Sequence, residues 1–372
     1  MDALAPIVAF VVVLIVLVLV HELGHFVAAK RSGVTVQEFG VGFPPRMASV
    51  IWRGTRYSLN WIPLGGFVRM FGEDGEAEVS KLRERGLSEP AIEKVMEGSF
   101  SRKPIPTRLI ILVAGVAMNM VLGAMLFALA FSQPTPVAQA PLVVVAVEAD
   151  SPADGALQVD DRIVAVDGER SAEAADLTAA IEAGAGSEVV LTVERDGAEV
   201  DVTVIPRTTD QRGPAQGAVG FTWQAGSIAM GPPMASGPFN ALVLGTGFAF
   251  EVARQIPGGL IAAVAGLLGL APGSPDIAGP IGIASQTGQI LEAPLTTQLK
   301  FVALLSVNLA VLNIFPFPPL DGGRVLIVAI EGIRRRKMSA EREALIYLTG
   351  FVVLVTLVIL ISIQDIGRLA GG

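Results

Sequence analysis

Four stretches of this chain are apolar for long enough to cross a bilayer, and nothing else in the sequence restricts its fold as much. They run from about Leu4 to Ala29, Leu109 to Phe131, Leu299 to Ile333 and Ala344 to Ile363, against the roughly 20 residues that a membrane-spanning helix needs. Backbone polar groups find no water in hydrocarbon, so such runs must close their hydrogen bonds as helices. The reading is a polytopic α-helical membrane protein with about four transmembrane helices. Composition agrees: 52% of the 372 residues are hydrophobic and 17% are charged, which is too apolar for an ordinary soluble chain. Asp2 stands where a signal peptide has a basic leader, and the first run is too long for one, so the expectation is a retained span. Between Phe239 and Leu270 a Gly-rich apolar region is interrupted by Glu251, Arg254 and Pro257. It reads as an interfacial or membrane-dipping helix pair.

Basic residues in short loops set the orientation. Lys30 and Arg31 follow the first span, Arg102, Lys103 and Arg108 precede the second, and Arg334, Arg335, Arg336 and Lys337 separate the third from the fourth. These places are expected on the cytoplasmic side, with both termini and the long segment between spans two and three outside. A net charge of -8 without a basic stripe argues against nucleic acid as a partner. The chain has no cysteine, so any metal must be held by His, carboxylate or carbonyl groups.

The outside segment changes period. "VVVAVEA", "RIVAVDG", "EVVLTVERDG" and "EVDVTVIP" alternate as strands do, "AADLTAAIEAG" has helical spacing, and two Asp-Gly turns punctuate them. The stretch "SPADGALQVDDRIVAVDG" resembles a PDZ domain, with Asp160 where that pattern usually carries Gly. The resemblance implies an inserted extracytoplasmic PDZ-like domain that binds a peptide C-terminus or excludes bulky ectodomains. The expected layout is a first helix (1–31), a cytoplasmic β-sheet or re-entrant loop with a charged segment (32–104), a second helix (105–132) and the PDZ-like domain (140–210). A linker with interfacial amphipathic helices (211–294), a third transmembrane region (295–333), a basic loop (334–343) and a fourth helix (344–364) complete it.

The chain holds two histidines, His21 and His25, both in the first apolar run as "HELGH". At i and i+4 they project from one helix face and can share one metal ion. Glu22 points about 100° away, better placed for a metal-bound water than for the metal. This H-E-x-x-H arrangement is that of zinc hydrolases: the metal acidifies a water and the carboxylate takes its proton. An acid between two imidazoles inside an apolar run is expensive unless a function retains it. A catalytic zinc needs a third protein ligand, and without further His or Cys it must be a carboxylate. Asp321 is the leading candidate because Pro316, Pro318 and Pro319 break the helix beside it. Glu331 is the rival, more simply an ion partner of the basic cluster at Arg334.

At these two segments the sequence resembles the site-2 protease family of intramembrane zinc metalloproteases, whose later element is matched by Asn313, Pro316, Pro318, Leu320, Asp321 and Gly322. The resemblance implies one zinc ion held by His21, His25 and Asp321, with Glu22 as general base. It also implies a multi-pass protein of the bacterial inner membrane, with its active site toward the cytoplasmic side. Substrates would be single-span membrane proteins in the lipid bilayer, such as anti-sigma factors after a first cut, or signal-peptide remnants.

Other pieces are less specific. "GVAMN", Gly115 to Asn119, matches a Gly-x-x-x-Asn element of the family in which Asn119 could contact substrate or the active site, or simply pack between helices. Asn313 could donate to the substrate carbonyl or its oxyanion, or cap the broken helix. "GPIGI", Gly279 to Ile283, is physically a turn into a helix. "WIPLGGFVRMFGE" closes an alternating, turn-rich stretch read as an apolar cytoplasmic β-sheet; the resemblance implies a β-loop that clamps an unwound substrate as an added strand, Gly65 and Gly66 easing its approach, the alternative being a capping sheet. The charged stretch that follows reads as a solvated segment. The alternative function is a non-catalytic PDZ membrane scaffold, in which Glu22 would have no use.

Overall fold

A computed structural model describes residues 4–73, 76–84, 86–170, 173–213, 216–267, 279–336 and 338–371. It divides into two compact units, one of residues up to Ser132 and from Ala235 onward, the other of Gln133–Met234.

The first unit begins with α1 (Leu4–Arg31), whose last turn carries Lys30 and Arg31. Strands β1 (Val36–Trp52) and β2 (Thr55–Met70) follow. Both bend, so residues 36–41 lie between 56–59 and 66–70, and 46–52 pair outside 55–60. Two long strands thereby make a curled four-layer antiparallel ladder. Its turn end exposes Val50, Ile51 and Trp52, and the bend at the other end exposes Trp61, apolar surface that water disfavours. The charged stretch after it is more ordered than expected. It forms α2 (Glu76–Glu84) and α3 (Glu89–Met96): Ile92 and Met96 stand one turn apart on α3 and, with Leu82 of α2, pack on Phe71. Helix α4 (Ile105–Phe131) then opens with Pro106 in its first turn.

The second unit is a six-stranded antiparallel sheet, described by itself. Its elements are β3 (Pro134–Val147), β4 (Arg162–Val166), β5 (Glu169–Arg170), α5 (Ala174–Ala183), β6 (Val189–Arg195), β7 (Ala198–Val204) and β8 (Phe221–Pro233). The strand order is β7-β6-β4-β3-β8, with β5 beside β4. The core sets Leu142, Val144, Ile163, Leu191 and Val193 of the sheet against Leu177 and Ile181 of α5. The unit extends past the expected 140–210: residues 221–233, assigned from sequence to a linker, form β8 along β3. Prolines and glycines around that strand hide its alternation. Asp160 adopts φ +73°, the left-handed backbone that glycine would take without cost.

The chain returns to the first unit with α6 (Pro238–Leu267), one 30-residue helix in place of the expected helix pair. Pro257 does not end it. Its first five turns pack on α4: Ala241 and Ala249, with the half-buried Val252, Ala253 and Ile256, lie against Ala124, Phe127 and Phe131. Leu268 to Leu270, the end of the predicted pair, lie outside the described residues. Helix α7 (Pro280–Leu291) starts at "GPIGI". The buried Asp365 accepts the amides of Gly279 (3.2 Å) and Gly282 (2.8 Å) there, as an acid should at a helix N-terminus.

The expected third region is two helices, α8 (Leu295–Ile314) and α9 (Asp321–Arg334), parted at the prolines. Helix α10 (Ala340–Gly371) ends the chain; Lys337 of the basic loop lies outside the described residues. Among the described residues, four helices are long and apolar enough to cross a membrane: α1, α4, α8 and α10. Exposed apolar side chains such as Ile7, Val8 and Val12 on α1 and Phe351, Val352 and Val353 on α10 fit a lipid solvent better than water. Four such helices beside β-sheets fit a polytopic membrane protein.

Candidate active site

Near the C-terminal end of α1, His21 and His25 are both almost fully buried. Asp321 is the first residue of α9. It is brought to them because the proline break folds α9 back against the end of α8. A Cβ on Gly322 would stand 2.2 Å from the carbonyl oxygens of Ile314 and Phe315, so the reversal requires a residue without one. His21 Nε2 lies 2.8 Å from Asp321 Oδ2, and His25 Nε2 lies 3.1 Å from both that oxygen and His21 Nε2.

The donor chemistry fits a cation. His25 Nδ1 is 2.8 Å from the carbonyl oxygen of Ile111, which can only accept, so the proton sits on Nδ1. In the neutral ring Nε2 then carries a lone pair that faces another imidazole nitrogen and a carboxylate oxygen. Three electron-rich atoms this close repel one another unless a cation or proton lies between them. A tetrahedral zinc with bonds of about 2.0–2.2 Å holds its donors about 3.3 Å apart, close to these separations. Zinc suits two imidazoles and a carboxylate. Glu331, the rival ligand, is elsewhere: it accepts from Arg108 (3.0 Å) and from the Met338 amide (3.0 Å). Its ion partner is thus Arg108 of α4, not the expected Arg334.

Two cavities meet at Glu22. One, of about 290 Å³, is lined by Val18, His21, Glu22, Phe43, Gly65, Gly66, Leu309, Asn313 and Asp321 among others. The second, of about 200 Å³, is lined by Glu22, His25, Phe67, Val68, Glu73, Asp321 and Arg324 among others. Gly65, Gly66 and Asn313 therefore share a cavity with the cluster. Asn119 does not line either one: it is fully buried on α4, with its side-chain nitrogen 3.5 Å from His21 Nδ1. Residues 66–70 are the outer layer of the β1–β2 ladder, and Val68 lines the second cavity together with Glu22. Arg324 donates to Glu73 at 3.0 Å. That pair was not foreseen, because 251 residues separate its members and neither spacing announces a partner. Gly115 supplies room: a Cβ there would stand 2.4 Å from His25 Nε2 and 2.8 Å from His21 Nε2.

The profile of peptidase family M50 matches residues 9–357. The chain belongs to peptidase family M50. Relatives cover nearly its whole length. Zinc metalloprotease RasP of Geobacillus kaustophilus is 28% identical over 99% of both chains. Its namesake in Oceanobacillus iheyensis is 28% identical over 98% of this chain and 100% of the relative. The regulator of sigma-W protease RasP of Bacillus subtilis is 27% identical over 98% of both. This M50 peptidase is therefore an intramembrane zinc metalloprotease of the site-2 type, with zinc as its cofactor. It is a bacterial membrane protein.

Proposed function

We propose that His21, His25 and Asp321 ligate the zinc, that Glu22 is the general base, and that the substrate is a transmembrane segment of a single-span membrane protein. The observation that carries this reading is the convergence of His21 Nε2, His25 Nε2 and Asp321 Oδ2 within 3.1 Å, with Glu22 lining the cavities on both sides. When bound, the zinc supplies Lewis acidity that makes water a nucleophile at neutral pH. The Glu22 carboxylate accepts a proton from the attacking water and delivers it to the leaving amide nitrogen as the C–N bond breaks. The Asn313 side-chain amide donates to the substrate carbonyl oxygen, where charge develops.

A helical substrate hides its amides, so it must unwind before hydrolysis. The outer layer 66–70 beside Glu22 offers an edge on which the extended segment is held as an added strand, with Gly65 and Gly66 admitting its backbone. By the basic-loop argument the active site faces the cytoplasm and the 133–234 unit lies outside. That unit acts as a PDZ-like module: β8 stands at one end of its strand order, and a peptide C-terminus adds there or a bulky ectodomain is excluded. A relative named for regulating sigma-W supports an anti-sigma-factor-like substrate, cut after a first protease has removed its outer part.

The test uses the full-length protein with a tagged single-span substrate. Glu22→Gln should keep its zinc while cleavage falls by about 10²–10⁴-fold, and Asp321→Ala should lose zinc. Equal cleavage by Glu22→Gln, or full zinc content in Asp321→Ala, overturns the reading.

A further inference from the structure

Helix α4 contributes no ligand, yet one of its faces is fitted to the two imidazoles. Ile111, Gly115 and Asn119 follow at i, i+4 and i+8, so they lie above one another along that face. The Ile111 carbonyl accepts from His25 Nδ1 at 2.8 Å, and Gly115 leaves the slot that both rings fill. Asn119 occupies the matching place beside the second ring, 3.5 Å from His21 Nδ1. It is fully buried. Its Oδ1 is a buried acceptor with no hydrogen-bond partner among the described residues.

A half-turn of the terminal amide exchanges its oxygen and nitrogen, which have nearly the same shape. It brings Oδ1 to face His21 Nδ1–H. The change gives the orphaned oxygen a donor and fixes the ring's proton on Nδ1, while the amide nitrogen moves to the place the oxygen held. The Nε2 lone pair is then aimed at the point where Asp321 Oδ2 and His25 Nε2 converge. Ser306 of α8 holds the arrangement from behind: its hydroxyl donates to the Asn119 backbone carbonyl at 2.8 Å.

We infer that Asn119 is a positioning residue for the metal centre, its Oδ1 accepting from His21 Nδ1–H as the Ile111 carbonyl does from His25. The inference rests on the proposed ligand set and goes beyond it. It gives the Gly-x-x-x-Asn stretch a chemical role: the glycine makes space for the rings and the asparagine sets the tautomer of one of them. Outer partners of this kind typically change metal affinity by about 10–100-fold when removed.

The experiment uses the full-length protein in detergent, stripped of metal. Zinc affinity is read by competition with a chromophoric chelator, and thermal unfolding of the stripped proteins verifies folding. Because the chain has two histidines, ¹⁵N-histidine spectra near pH 8 report each ring's tautomer, with His21→Ala to assign them. The stripped wild type should show His21 in the Nδ1–H form. Asn119→Leu, which removes the acceptor at similar size, should bind zinc about 10–100-fold more weakly and mix the His21 tautomers. Asn119→Asp, which keeps an acceptor, should restore both. A wild-type His21 in the Nε2–H form overturns the inference without any variant, and so does a folded Asn119→Leu protein with wild-type zinc affinity. If His21→Ala itself binds zinc normally, the ligand set is wrong instead, which separates the two failures.

Discussion

Gly115→Ala adds one methyl group to a helix that supplies no ligand, and it should cost the protein its metal. The new carbon would stand 2.4 Å from His25 Nε2 and 2.8 Å from His21 Nε2. An ordinary contact is about 3.5 Å, so the rings would have to withdraw by about 1.1 and 0.7 Å. Neither can do so freely. His25 is tied to Ile111, and α1 and α4 already touch so closely that a Cβ on Gly24 would meet the Ala114 carbonyl oxygen at 2.3 Å. Metal–donor distances tolerate only about 0.2 Å. Zinc affinity should therefore fall by at least about 100-fold, or about 2.7 kcal/mol. The zinc-free fold should suffer little, since helix propensity returns about 1 kcal/mol against about 1–3 kcal/mol of overpacking. Gly123→Ala is the control on the same helix, about 12 Å along. Its Cβ would meet Val307 Cγ2 at 2.6 Å, a similar clash with no donor atom. Chelator competition and thermal unfolding of the full-length proteins decide the matter. Wild-type affinity in a folded Gly115→Ala protein, or equal zinc loss in Gly123→Ala, would refute the reasoning.

Arg108→Ala should destabilise the membrane unit by about 3–5 kcal/mol, because Glu331 keeps a buried charge without its 3.0 Å partner; denaturant unfolding should show Arg108→Met with Glu331→Leu recovering much of the loss. In the β unit, burial pushes the Asp161 carboxyl up, but the Arg195 guanidinium (2.6 and 2.7 Å) and the Gln158 amide outweigh it and hold it below its usual range. That stabilisation is complete above the unfolded value near 3.9 and is lost as pH falls through the lower folded value. Arg195→Gln should cost about 1–3 kcal/mol at neutral pH and make β4 and β6 amides exchange at a higher pH on acidification, as hydrogen exchange would show. Asp160→Gly relieves the φ of +73° and should stabilise the same unit by about 1 kcal/mol, read as slower exchange of the 160 and 161 amides.

What could be read ahead of the structure was local. Two histidines four apart on a helix share a face whatever surrounds them, and prolines break a membrane helix beside Asp321 because they lack an N–H. Apolar runs of 20 residues declare themselves by composition alone. Alternation likewise exposed β4, β6 and β7. It did not expose β8, where Gly226, Gly231 and two prolines interrupt the pattern. The doubled pairing of residues 36–41 was also invisible, since each flank of that ladder looks like an ordinary hairpin. Pro257 argued for two helices, yet α6 runs through it. The ion pairs Arg324–Glu73 and Arg108–Glu331 join residues 251 and 223 positions apart, and no periodicity spans such distances.

Sequence separation is nevertheless a poor measure of what the proposed metal centre demands. His25 and Asp321 are 296 residues apart. Because closure entropy grows only with the logarithm of length, a loop ten times shorter would cost just about 2 kcal/mol less to close. A misplacement of one ångström at the donor atoms costs more than that. The expensive requirement is therefore orientation, and the chain meets it by removing side chains where backbones must touch. Gly24 lets α1 lie on α4, Gly115 opens α4 to both imidazoles, and Gly322 lets the first turn of α9 rest on the end of α8. The three glycines stand at the three contacts that fix His21, His25 and Asp321 relative to one another. A substitution at any of them should cost metal before it costs fold, whereas a change of the same size elsewhere along these helices should do the reverse.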